Sequence, residues 1–199
     1  MPDEKTPEAL LRRHLNVHEA VGWIGEFALK HARQDGGFTV TEEHIKKIHF
    51  ICMSGLLDDA ETGCYRQAQL RPLGKHRPPR WEDVVKHMQG FVKELNKKWY
   101  LYNPIQIGAY AIWRLNWIHP FINGNGRTSR LFGYLLMNMR AGYKFPGKRG
   151  YLVPEQLGGK KHAQYVKALR HADKQADDSY LKPMEEVLSE TLRVQLTEL

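Results

Sequence analysis

The chain has 199 residues, of which 42% are hydrophobic and 26% charged, with a formal net charge of +8 and two cysteines. That length supports one domain with a substantial core, and the composition excludes a disordered chain. Two cysteines make neither a disulfide framework nor a closed metal site, and no apolar run spans a bilayer, since residues 105–118 are interrupted by Arg114 and Asn116.

Helical periodicity dominates from the start. Thr6-Pro7-Glu8 supplies a capping hydroxyl, a proline at the first helical position and an acid in the first turn. Leu10, Val17, Val21, Ile24 and Ala28 follow on one stripe, up to the breaker Asp35-Gly36-Gly37. Thr41 with Glu42 and Glu43 opens a second helix, whose stripe is Ile45, Ile48, Cys52 and Leu56. Between Gly63 and Pro79 the period disappears. Pro72, Gly74, Pro78 and Pro79 punctuate this stretch, which predicts a small hairpin or an extended loop. Trp81, Val84, Val85, Met88, Phe91, Val92 and Leu95 then give a long helical stripe ending at Asn96-Lys97-Lys98.

Asn103-Pro104 caps a helix over 105–118 that is apolar nearly all round and so belongs at the centre of the fold. Pro120 disfavours helical geometry at His119 and ends that helix there. The next helix begins near Asn125-Gly126 and carries Leu131, Phe132, Leu135, Leu136 and Met139 to Ala141-Gly142. Two more cover about 161–175 and 179–196. No repeat or interdomain linker interrupts this series. The expectation is one all-α domain over 1–199, with an N-terminal helix (about 7–34) packed on a core at about 40–190. Trp81, Trp99, Trp113 and Trp117 have apolar neighbours and are expected in that core. The first residues lack a basic stretch leading into an apolar one. The expected setting is therefore the reducing cytosol, away from membranes, with export without a cleavable signal as the alternative.

The positive charge is unevenly placed. Residues 65–99 hold nine Lys/Arg against three acids, whereas acids dominate from Asp173 onward. Such a middle segment suits an acidic partner, either nucleotide phosphates, nucleic acid or an acidic protein surface; on charge alone, solvated helix faces are the stronger reading. His14 and His18 lie four apart on a helix, followed by Glu19, but no further ligand stands at useful spacing for a metal.

Chemistry concentrates in His119-Pro120-Phe121-Ile122-Asn123-Gly124-Asn125-Gly126-Arg127-Thr128-Ser129-Arg130. Here a loop with two glycines enters a helix whose first-turn N–H groups and dipole favour an anion. Gly124 and Gly126 let the backbone approach a phosphate closely. Arg127 and Arg130, three apart, can grip phosphate oxygens in bidentate fashion. His119 can accept a proton at neutral pH. A base, an anion hole and two cationic clamps suggest that a hydroxyl is deprotonated and attacks a bound phosphate. A Walker-type phosphate loop is absent from the sequence.

This segment resembles the signature of the Fic (Fido) family, H-x-F-x-(D/E)-G-N-G-R-x-x-R. Gly63-Cys64-Tyr65-Arg66 with residues 76–79 is similar to the family's flap, and Asn103-Pro104-Ile105 with Ala109 to the helix leading into the signature. Tyr165, Ala168-Leu169 and Ala172-Asp173 resemble its C-terminal helices. The resemblance implies an all-α fold with one small β-hairpin flap, and transfer of AMP from Mg-ATP to a protein Ser, Thr or Tyr hydroxyl. It gives His119 the role of general base and Phe121 that of loop anchor. Gly124, Asn125 and Gly126 become the anion hole, and Arg127 and Arg130 neutralise the outer phosphates. It makes Tyr65, Arg66, Gln67, Ala68, Gln69 and Leu70 a flap that holds the target peptide by β-type pairing. Tyr165 is either an adenine-pocket residue or a core tyrosine.

The match departs at Asn123, where the family has Asp or Glu to help hold Mg²⁺ (or Mn²⁺). A neutral carbonyl attracts such a hard cation less strongly. The departure leaves open a working transferase, a different donor or transferred group, or a nucleotide binder with little activity. A basic nucleic-acid binder is the remaining alternative. The family's inhibitory Ser/Thr-x-x-x-Glu-Gly/Asn pattern is not found, which implies that Arg130 is free or is restrained by a separate, antitoxin-like chain.

Overall fold

A computed structural model describes residues 6–31, 37–72, 76–146, 152–174 and 180–197. These residues form α1 (Pro7–His31), α2 (Glu42–Met53), α3 (Val84–Lys98), α4 (Pro104–Ile118), α5 (Asn125–Ala141), α6 (Val153–Gly158), α7 (His162–Ala172) and α8 (Lys182–Thr197). A 3₁₀ turn, Trp81–Asp83, leads into α3. No strand occurs among the described residues; the flap is extended chain with a single bridging residue at His76, and its residues 73–75 lie outside them.

Local chemistry accounts for most boundaries. Ala9 N–H donates to Thr6 Oγ1 (3.2 Å) at the start of α1. At α4, Gln106 N–H donates to Asn103 Oδ1 (3.0 Å) and Asn103 N–H to Gln106 Oε1 (3.1 Å), so each residue satisfies a donor of the other. The expected stop at Asp35-Gly36 falls outside the described residues, and the helix expected over 161–175 ends earlier, at Ala172 with Asp173 as its C-cap. The short α6 escapes the periodicity reading because Pro154 and Gly158-Gly159 look like loop signals; here the proline sits in its first turn and Val153, Pro154 and Leu157 are buried.

The core is built around α4 and α5, which share the most extensive helix–helix contact. Their close approach depends on glycine. A Cβ on Gly133 would lie 2.5 Å from Ile112 Cγ1 and 3.2 Å from the Gly108 carbonyl, and one on Gly108 would lie 2.6 Å from Met137 Cγ. Backbone thus packs nearly on backbone at the crossing. Ile107, Ile112, Leu115, Ile118, Leu135 and Leu136 are fully buried around it.

Two apolar expectations fail at helix beginnings. Trp81 is 40% exposed, because its 3₁₀ turn stands at the rim before α3 packs. Leu10 is 42% exposed, because burial on α1 begins only at Asn16. Trp99 is buried, and Trp113 and Trp117 are half-buried.

Asn16 fastens α1 to α2. Its buried amide donates to the carbonyls of Cys52 (3.1 Å) and Ser54 (2.8 Å) at the end of α2. Asn16→Ala leaves both carbonyls without that donor. Chemical denaturation should show a loss of about 2–3 kcal/mol with the helical CD spectrum retained; an unchanged midpoint would mean the joint is held otherwise.

Candidate active site

His119 lies where α4 ends. It is the only non-glycine residue with positive φ among the described residues (φ 52°, ψ 57°), and its N–H caps the helix by donating to the Leu115 carbonyl. A left-handed residue before proline carries local strain, of the kind held at functional sites by surrounding contacts. Arg66 supplies those contacts. Its backbone N–H donates to the Pro120 carbonyl (2.8 Å), and its Nε donates to the His119 carbonyl (2.9 Å). Nη1 and Nη2 reach the carbonyls of Ala68 (3.1 Å) and Pro79 (2.7 Å). The flap is thereby tied to the backbone of His119.

The orientation of the imidazole follows from one bond. Nδ1 lies 3.0 Å from the Asn116 carbonyl, an acceptor only, so Nδ1 carries the proton and donates. Nε2 keeps a lone pair, and no hydrogen bond to it occurs among the described residues. Burial pushes the ring's pKa from the ordinary 6.5 down to about 4; the Asn116 bond pulls upward, while His76 and Arg66 add to the depression. At neutral pH His119 is an unprotonated acceptor.

The signature loop is braced from inside. Asn125 accepts from the Phe121 N–H (2.9 Å) and donates to the Phe121 carbonyl (2.8 Å), so its side chain closes the loop on itself. Any contribution of Asn125 to an anion hole therefore comes from its backbone N–H. Phe121 is fully buried and stacks on His49 with ring centres 3.7 Å apart. His49 accepts from the Gly63 N–H at Nδ1 (2.8 Å), which leaves Nε2 to donate to the Asn123 carbonyl (3.1 Å). Gly124, at φ 76°, has no room for a Cβ, which would lie 2.5 Å from Met53 Sδ.

A cavity of about 560 Å³ opens over this loop, lined by His119, the 122–127 backbone turn and Arg130, with Leu70 and Arg71 from the flap and Arg13 from α1. Arg127 is buried and Arg130 half-buried. Arg130 lies over the Tyr165 ring at 5.6 Å, and its Nε has no hydrogen-bond partner among the described residues. A second cavity of about 450 Å³ shares Arg13, Arg127 and Arg130 and runs to Pro154 and Glu155. Burial holds the Cys52 thiol near these arginines up at about 12, so it stays protonated.

The cavity suits an anion better than a cation. Among the described residues, four arginines line it and no carboxylate does. Asn123, the position from which the signature would offer an acid, has its side-chain oxygen accepting from the Gly124 N–H at 2.6 Å. A hard divalent cation prefers anionic oxygens, so these residues do not fit one held by the protein. Among the described residues no cluster of three metal-ligating side chains occurs elsewhere, and His18 instead faces Glu155 at 3.4 Å.

The structure brings together His119, Asn123, Gly124, Asn125, Gly126, Arg127 and Arg130 around one cavity. It divides the flap residues. The Tyr65 hydroxyl donates to Glu42 (2.7 Å) and Arg66 is buried, so both anchor the flap from below. Gln67, Ala68 and Gln69 are exposed, and Leu70 faces the anion cavity. Tyr165 resolves to the core: it is 2% exposed, and its hydroxyl accepts from Asn116 (2.9 Å). The basic 65–99 stretch disperses, with Arg80 on Asp83, Lys97 on Glu94 and Lys98 over Tyr102 and Tyr110. Sequence reasoning missed Arg13, Arg71 and His49. Only His49 left a signal, as a histidine beside Ile48 on the buried side of α2.

With this geometry in view, residues 39–137 match the Fic/DOC family. The chain carries a Fic/DOC domain. It is 41% identical over 105 residues to the Protein adenylyltransferase Fic of Aedes aegypti, covering 52% of this chain and 20% of that protein. It is 36% identical over 135 residues to the Drosophila persimilis protein of the same name, covering 67% of this chain and 25% of the relative. The matched stretch is thus a quarter or less of these relatives' length. Fic-1 of C. elegans has the same fold, with a TM-score of 0.71 at 23% identity over 100% of this chain and 52% of that one. No described helix is long and apolar enough to cross a membrane.

His49 offers a direct test of this site's coupling to pH. Burial lowers its pKa from 6.5 to about 4, against the upward pull of the Asn123 bond and with the help of Arg127. Between those values the unfolded chain binds more protons than the folded one, so stability rises with pH there and falls as pH drops from 6.5 toward 4. Thermal melts should show this slope in the wild type and a shallower one in His49→Gln. His49→Ala should cost about 2–4 kcal/mol at neutral pH.

Proposed function

We propose that this Fic/DOC domain transfers AMP, or another nucleoside monophosphate, from a nucleoside triphosphate to a Ser, Thr or Tyr hydroxyl of a target protein. The observation that carries the proposal is the unprotonated Nε2 of His119, held by Asn116 at the edge of an arginine-lined cavity. The names of the Aedes and Drosophila relatives support the same reaction class.

In this mechanism the triphosphate lies over the loop from Asn123 to Gly126, with its phosphates against the N–H groups at the start of α5 and the guanidinium groups of Arg127 and Arg130. The target hydroxyl enters between the flap and His119. Nε2 takes its proton as the oxygen attacks the α-phosphorus. The new O–P bond forms as the bond from the α-phosphorus to the bridging oxygen breaks, pyrophosphate leaves, and the proton resides on His119 until released to solvent. Arg66 and Asn116 act by positioning: one holds the backbone of His119, the other selects its tautomer. The exposed run Gln67–Ala68–Gln69 presents backbone to the target chain.

Asn123 favours a second reading, a transferase for a different phosphate-containing group. The site also suits restraint by a separate inhibitory chain whose acidic side chain reaches Arg130, which borders both cavities.

Mass spectrometry of target lysate and of the protein itself, after incubation with ATP, UTP, GTP and CDP-choline, tests activity and donor together. His119→Ala should lower transfer by at least about 100-fold; undiminished labelling in that variant removes His119 as the base. Because its pKa is depressed from 6.5 to about 4, the transfer rate should hold through pH 6.5 and decline only toward pH 4. An acid limb near 6.5 would contradict a buried, neutral imidazole.

A further inference from the structure

The anion cavity is assembled from more of the chain than the signature. Arg13 stands on α1, far from the signature in sequence, yet it lines both cavities together with Arg127 and Arg130, and Glu155 also lines the second cavity. Arg71 adds a fourth guanidinium from the flap side. Asn123 lines the same cavity, neutral where an acid would be expected, with its oxygen on the Gly124 N–H. Among the described residues no carboxylate lines this cavity.

These departures act in the same direction. Replacing a carboxylate by an amide removes a negative charge that would repel the phosphates in the absence of a cation. Bringing Arg13 across from α1 adds a positive charge, and a planar fork of donors, where the phosphate chain would lie. A divalent cation bound by a carboxylate and by phosphates performs the same electrostatic task, since both screen phosphate oxygens from one another.

We propose that Arg13 is a phosphate-binding residue of this domain, and that the outer phosphates of the nucleotide are neutralised by the protein's own arginines, so that nucleotide binding does not require a divalent metal ion. The inference rests on the reading of the cavity as a nucleotide site. It adds a residue from outside the signature and a metal dependence opposite to the one the signature implies.

Isothermal titration of the full chain with the non-hydrolysable α,β-methylene analogue of ATP, in EDTA and then in Mg²⁺, tests it. Wild-type affinity in EDTA should be within about threefold of that in Mg²⁺. Arg13→Gln should weaken analogue binding in EDTA by about tenfold or more, as expected on losing a charge-assisted hydrogen bond, but should alter AMP binding less than about threefold, because AMP lacks the outer phosphates. Arg13 is half-buried, and circular dichroism of the variant checks its fold; Arg13→Lys, which keeps the charge and loses the fork, should fall between. Asn123→Asp should weaken binding in EDTA and make Mg²⁺ restore it. Binding that requires Mg²⁺ in the wild type overturns the proposal and leaves the transferase reading standing. Equal loss of ATP-analogue and AMP affinity in Arg13→Gln overturns the role of Arg13. Failure to bind either nucleotide under both conditions overturns the proposal together with the nucleotide site.

Discussion

Arg66 donates to the carbonyls of His119, Ala68 and Pro79 from a position that is 4% exposed. A buried guanidinium is costly unless its donors are used, and here three backbone oxygens use them. The cost is offset because those oxygens belong to segments that share no secondary structure: the end of α4, the flap and the approach to α3. With Arg66 in place the left-handed conformation of His119 is over-determined from outside. No other described residue of the flap donates to the His119 carbonyl. The conformation of His119 thus depends on one cation used entirely on backbone, and that cation adds a small share to the fall in the imidazole's pKa, which burial chiefly causes.

The same economy of charge runs through the site. His119 and His49 are both held neutral, chiefly by burial. Neutral imidazoles can then serve as fixed donors and acceptors: His49 joins the Gly63 N–H to the Asn123 carbonyl, while His119 keeps one nitrogen for a proton yet to arrive. The arginines retain the positive charge. In the proposed mechanism, base and electrostatic clamp are therefore separated by residue type as well as by place, and the positive charge of the cavity does not depend on the protonation of His119.

Much of this was legible in the sequence wherever the cause is local. The cap at Asn103-Pro104, the stop at His119-Pro120, and the loop-to-helix passage at Gly124 to Arg127 each depend on residues within a few positions of one another. What was not legible depends on convergence. Arg13 and Arg71 reach the cavity only because α1 and the flap pack around α5. Asn125 shows the limit within the motif itself, for the resemblance gives it to the anion hole, and only the fold shows that its side chain braces Phe121. Tyr65 and Arg66 show the same limit: the resemblance sets them on a binding flap, and only the fold shows that one bonds Glu42 and the other is buried beneath His119. Trp81 was misjudged because periodicity does not show that a helix's first turn lies beyond its packing partner.

The glycine crossing of α4 and α5 bears on the chemistry from a distance. One helix ends at His119 and the other begins at the signature loop, and Gly108 and Gly133 set how close they come through contacts that include main-chain atoms. Main-chain contacts have no rotamers to change. Arg13, by contrast, reaches both cavities from α1 through a long side chain, so movement of α1 changes the cavity wall while the α4–α5 crossing keeps the end of one helix beside the start of the other. The wall of the cavity and the spacing of the two helix ends are thus set by different kinds of contact, one made by long side chains and the other largely by main chain.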